Sequence, residues 1–150
     1  MEFSFMTHVN ATKEAVWEYY ADIQNWYVWE SGLKNITLDS GFKTGSKGIV
    51  ELEGMPPMEY LLTSVIKAQE FWDKTDTPIG SIYFGHEIIC DDDNTVNIKH
   101  TVKLVTDEFN EEKLGFLKQV FSDVPDSILL LKRIVENNGC TYCQIGNRCV

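Results

Sequence analysis

Residues 114–135 read Leu114-Gly115-Phe116-Leu117-Lys118-Gln119-Val120-Phe121-Ser122-Asp123-Val124-Pro125-Asp126-Ser127-Ile128-Leu129-Leu130-Leu131-Lys132-Arg133-Ile134-Val135, and their periodicity decides the fold. Leu114, Leu117, Phe121, Val124, Ile128, Leu131 and Val135 recur at alternating spacings of three and four. That is the period of a long α-helix with one apolar stripe. Pro125 lies inside the stripe. It has no N–H and crowds the carbonyl four residues earlier, so a kink is expected near Phe121. Gly139 is the natural C-terminal stop.

Upstream of this helix the period is two. Ile82, Phe84, His86, Ile88 and Cys90 share one face of a strand, and Val96, Ile98, His100, Val102 and Leu104 share one face of the next. Cys90 on that face is read as a small buried residue. The apolar positions are even-numbered in both strands, so even must pair with even and the loop must hold three or five residues, not four. A five-residue loop, Asp91 to Thr95, sets His86 directly opposite His100. A three-residue loop makes them diagonal neighbours.

Further upstream, Ile36 and Leu38 alternate with polar residues, and Gly41, Gly45 and Gly48 mark a turn. Ile49–Glu53, Glu59–Lys67 and Glu70–Lys74 are strand candidates, with Gly54-Met55-Pro56-Pro57-Met58 as a turn between the first two. Phe3, Phe5 and Val9 alternate as a first strand. Asn10 or Thr12 then caps a short helix carrying Ala15, Val16, Tyr19 and Tyr20, and Asp22 caps a second with Ile23 and Trp26. The order is strand, two short helices, about six strands, one long helix. A sheet with one apolar face needs a cover, and one long helix is available, so the sheet must curl around it. The expected fold is α+β, a curved antiparallel sheet of six to seven strands wrapped around the C-terminal helix. A curved sheet and a straight rod leave a gap between them.

The chain has 150 residues, enough for one domain that folds without disulfide or metal. We expect that domain over residues 1–138 and a cysteine-containing tail over 139–150. A net charge of −10 and the lack of a basic stripe exclude nucleic acid and disfavour anionic membranes. No run approaches the roughly 20 apolar residues of a membrane span, and the N-terminus shows no secretory signal, so a cytoplasmic protein without membrane insertion is expected. No cofactor is called for, and a monomer or weak homodimer is the expected state.

The segments Asn10-Ala11-Thr12-Lys13-Glu14-Ala15-Val16-Trp17 and Ala21-Asp22-Ile23-Gln24-Asn25-Trp26, with Trp29, resemble the opening of the START-like superfamily, also called Bet v 1-like or SRPBCC. Within it they are similar to the polyketide cyclase/dehydrase-like branch. The Gly41-x3-Gly45 turn and the terminal helix also match, and the resemblance covers roughly residues 2 to 137. It implies a helix-grip fold with a central cavity. It supplies no catalytic residue, because that branch shares no catalytic motif that this sequence matches, and members range from lipid carriers to cyclases, dehydratases and co-chaperones.

Several residues are candidates for the site. His86 and His100 would face a partly dry pocket, where imidazoles polarise a carbonyl or act as a general base. The competing reading is two cavity-lining histidines satisfied by water or a backbone carbonyl. No carboxylate shares their face on either strand, so no metal site is expected. Trp26, Trp29 and Tyr60 are possible pocket aromatics, and Trp17 and Trp72 look like packing residues. Met55 and Met58 make the Pro56-Pro57 turn unusually apolar, a candidate lip for the pocket. Val50 and Leu52 claim the interior over Glu51 and Glu53. Cys140-x2-Cys143 with Cys149 could bind zinc or form a disulfide, but a fourth ligand is missing from the sequence nearby, so a metal-free tail is expected.

The leading expectation is therefore a protein that binds a small hydrophobic or aromatic molecule, lipid or polyketide-like. Phe84, His86, Ile98 and His100 would line the sheet side, and Leu117, Phe121 and Val124 the helix side near Pro125. One alternative is a cyclase or dehydratase using His86 or His100. Another is a co-chaperone-like interaction module with a filled interior.

Overall fold

A computed structural model describes residues 1–146, with side chains described through residue 138. The chain begins with strand β1 (Glu2–Val9), whose alternating burial places Phe3, Phe5 and Val9 inward. Helix α1 (Lys13–Ala21) starts at Thr12, whose hydroxyl accepts from the Ala15 N–H at 3.1 Å. Asp22 accepts from Gln24 N–H at 3.0 Å and starts a 3-10 turn, Ile23–Asn25, that runs into the one-turn helix α2 (Trp26–Trp29). These side chains satisfy N–H groups that the first helical turn leaves free.

Six strands follow: β2 (Leu33–Ile36), β3 (Lys47–Leu52), β4 (Met58–Ile66), β5 (Glu70–Thr77), β6 (Gly80–Cys90) and β7 (Val96–Val105). With β1 they form one antiparallel sheet in the order β1-β7-β6-β5-β4-β3-β2. The β6–β7 loop is Asp91 to Thr95, five residues, and His86 pairs directly with His100. Parity alone had left three or five.

Gly48 lies inside β3 rather than in the preceding turn. A Cβ there would sit 2.0 Å from the Thr37 carbonyl oxygen and 2.8 Å from the Tyr60 ring, so the close approach of two backbones requires glycine. Gly85 on β6 has the same role on the outer face, where a Cβ would come within 2.4 Å of the Trp72 ring. Trp72 therefore covers the convex side, and its neighbours Phe71 and Asp73 point into the concave side. Cys90, the last residue of β6, is exposed, contrary to its place on the apolar parity.

The C-terminal helical stripe is interrupted rather than kinked. Helix α3 (Glu111–Phe121) ends where Pro125 disturbs the ladder, and α4 (Val124–Gly146) begins after a gap of two residues. The Ser122 N–H and hydroxyl both bond the Gln119 carbonyl, at 3.2 and 2.6 Å, closing α3. Helix α4 continues past Gly139, because a single glycine costs only about 1 kcal/mol in a helix and does not end one by itself. The tail cysteines Cys140, Cys143 and Cys149 lie outside the described side chains.

Two apolar clusters sit between sheet and helices. Under α4, Val16, Tyr20, Trp29, Phe71, Ile98, Ile128, Leu131 and Val135 pack together. Under α3, Leu117 packs on Ile82, Val102 and Leu104, with Phe3, Phe84 and Phe121 around them. A polar clasp fixes α4 to the end of β1: Lys132 donates to the His8 carbonyl at 2.8 Å, and Glu136 accepts from the Asn10 N–H at 2.7 Å.

Candidate functional site

Between the two clusters lies a cavity of about 540 Å³. Strands β5, β6 and β7 supply Asp73, Thr75, Ile82, Phe84, His86, His100 and Val102 from the concave face. Helix α3, the break and the start of α4 supply Phe116, Gln119, Val120, Ser122, Asp123, Val124 and Ser127. Trp26, Glu30 and Ser31 close one end, and Leu33, Val50, Leu52, Met55 and Met58 form the rim, where Met55 is 47% exposed. The apolar turn of Met55 and Met58 thus stands at the cavity edge. Val50 and Leu52 thus face the cavity, Glu51 instead pairs with Lys34 at 3.4 Å, and Glu53 also reaches the rim.

Of the residues that the sequence proposed, Trp26, Phe84, His86, His100 and Val124 line this cavity. Trp29, Tyr60, Ile98, Leu117 and Phe121 do not. Trp29 and Ile98 are enclosed by the α4 cluster, and the Trp29 indole N–H donates to the Tyr19 carbonyl at 3.0 Å. Tyr60 is 2% exposed and donates to the Thr37 carbonyl at 2.8 Å. Leu117 and Phe121 are taken up by the α3 cluster.

The two imidazoles form the polar edge of an aromatic stack. His86 lies on Phe71 with centroids 3.9 Å apart and planes 8° from parallel, and meets His100 edge-on at 4.7 Å. The Tyr20 hydroxyl and His100 Nε2 share a hydrogen bond of 2.8 Å. Burial pushes His100 down to about 3, and burial together with the neighbouring His100 pushes His86 well below its ordinary range. Both rings are therefore neutral near pH 7. His86 Nδ1 is buried and meets no partner among the described residues.

Sequence reasoning missed the carboxylates. Asp73 is 8% exposed on the wall, and burial, then the charge of Glu30, hold its carboxyl well above the usual range. Burial, then the charge of Asp123, raise Glu30 to about 7. The signal lay in β5: once Trp72 is assigned outward, Phe71, Asp73 and Thr75 alternate inward. Asp73 pairs across β6 with Phe84, one position along the inward face from His86.

No protein-family model matches the chain, and no curated protein matches it in sequence. Solved structures do match in fold. Norcoclaurine synthase from Thalictrum flavum aligns at TM-score 0.69 and 7% identity over 90% of this chain and 92% of its own. The Aha1 dimer from Colwellia psychrerythraea aligns at 0.66 and 11% over 91% and 96%. Ara h 8.0201 aligns at 0.65 and 10% over 90% and 97%. The chain thus has the START-like, Bet v 1-like helix-grip fold that its opening segments implied. Among the described residues, no helix is long and apolar enough to cross a membrane.

Proposed function

We propose that the protein binds a small hydrophobic or aromatic molecule, lipid or polyketide-like, between the sheet and the C-terminal helices. The observation that carries this reading is the cavity of about 540 Å³ beside a cluster that is fully packed. Its volume is that of small-molecule sites, and such sites combine apolar walls with a few polar groups that fix orientation. Ile82, Phe84, Val102, Phe116, Val120 and Val124 supply the walls. Each 100 Å² of ligand apolar surface buried there would contribute about 2.5 kcal/mol before the entropy of association is subtracted.

An enzyme using its cavity histidines is less well supported. A ring held near 3 accepts a proton poorly at neutral pH, whereas a general base works best near the operating pH. An interaction module with a filled interior is disfavoured by the cavity itself. Native mass spectrometry of freshly expressed protein tests the reading. A co-purified small molecule, or one equivalent of the neutral apolar dye Nile red taken up in its place, is the expected result. Protein that carries no adduct and leaves the dye dark would overturn it.

A further inference from the structure

The polar groups on the cavity wall are strongly one-sided. Glu30, Glu53, Asp73 and Asp123 line it, and among the described residues no lysine or arginine does. The histidines give no positive charge either, being neutral. Asp73 is nine-tenths buried, projects from the concave face with Phe71 and Thr75, and makes no hydrogen bond or ion pair among the described residues. Buried carboxylates are ordinarily paired or hydrogen-bonded. Asp73 has neither, and what faces it is the cavity.

We propose that the cavity selects a cationic ligand, a small apolar or aromatic molecule carrying a basic nitrogen whose ammonium group pairs with Asp73 and Glu30. The inference deepens the binding reading and rests on it. The ligand's apolar body would lie along Ile82, Phe84, Val102 and Val120. Burial and mutual repulsion oppose ionisation of these carboxyls. An ammonium placed there offsets both, so that they ionise and accept charge-assisted bonds, which are stronger than neutral ones. A metal ion fits less well, since no group of three or more His, Cys, Asp or Glu among the described residues is placed to hold one.

The test uses the full chain with bound Nile red and three indoles of one skeleton: cationic tryptamine, neutral tryptophol and anionic indoleacetate. Tryptamine is expected to displace the dye at about tenfold or more lower concentration than tryptophol, with indoleacetate weakest. Asp73→Asn, with Glu30→Gln as a second variant, should bring tryptamine and tryptophol to within about twofold, each displacement being read against that variant's own Nile red affinity. Equal affinities in the native protein overturn the proposal, as does a tryptamine preference that survives both substitutions. Dye that binds but yields to none of the three also overturns it, and each of these results leaves the cavity itself a ligand site. Dye that never binds removes the cavity reading instead.

Discussion

The two ends of the groove between sheet and helices use the same strands but are filled differently. Under α4, the rings of Tyr20, Trp29 and Phe71 meet Ile98, Ile128 and Leu131, and all six are fully buried. Under the α3–α4 break, the sheet offers Thr75, Ile82 and Val102, the helices offer Val120 and Val124, and the space between them stays open. The short helices α1 and α2 place Tyr20 and Trp29 in the packed end, and only Trp26 also borders the open one. The void therefore follows from where side-chain volume is placed, and the curvature of the sheet alone does not create it. Close packing makes the first end rigid, and the second is left to a ligand.

The sharpest way to break this contrast is to truncate a ring at each end. Phe71→Ala in the packed cluster should cost about 3–5 kcal/mol, and Phe84→Ala on the cavity wall only about 1–2 kcal/mol, measured by urea denaturation. Equal losses would mean that the second end is packed as well. Next in size is Gly85→Ala, which forces a methyl into the Trp72 ring and should cost about 1–3 kcal/mol with Nile red binding kept.

A titration sharpens the comparison at the acidic wall. Glu30 is raised to about 7, so folding gains from its protonation below its ordinary range near 4.5, and that gain is lost as pH rises through 7. Glu30→Gln should therefore stabilise the protein at pH 8, by about 1–2 kcal/mol in a cavity that solvent partly reaches, and change nothing at pH 4. A gain that grows on acidification would contradict the assignment. The smallest stability effect is expected from filling the open end. Val120→Phe should shift stability by less than about 1 kcal/mol because the added ring enters empty space, while dye binding falls about tenfold or more.

The sequence made some of this legible and hid the rest for identifiable reasons. The His86–His100 pair followed from strand parity, because two clean alternations leave few registers. Asp73 was hidden by the adjacent rings Phe71 and Trp72: either could have been the inward one, and only the close approach of Trp72 to Gly85 decides it. Glu30 terminates a one-turn helix, where no periodicity says which way a side chain faces. Leu117 and Val124 belong to one apolar stripe on paper. Both pack in the cluster under α3, but Leu117 is fully enclosed there, whereas Val124, past the break after Phe121, also reaches the cavity.

The most direct measurement is the amide chemical-shift change across the full chain as Nile red is added. The expected shifts gather on Thr75, Ile82, Phe84, Thr101, Val102 and Val120, the facing walls of the open end. Shifts confined to Trp72, Tyr83 and Lys103 on the convex face, or spread evenly over the fold, would show that the interior beneath the helix break holds no ligand.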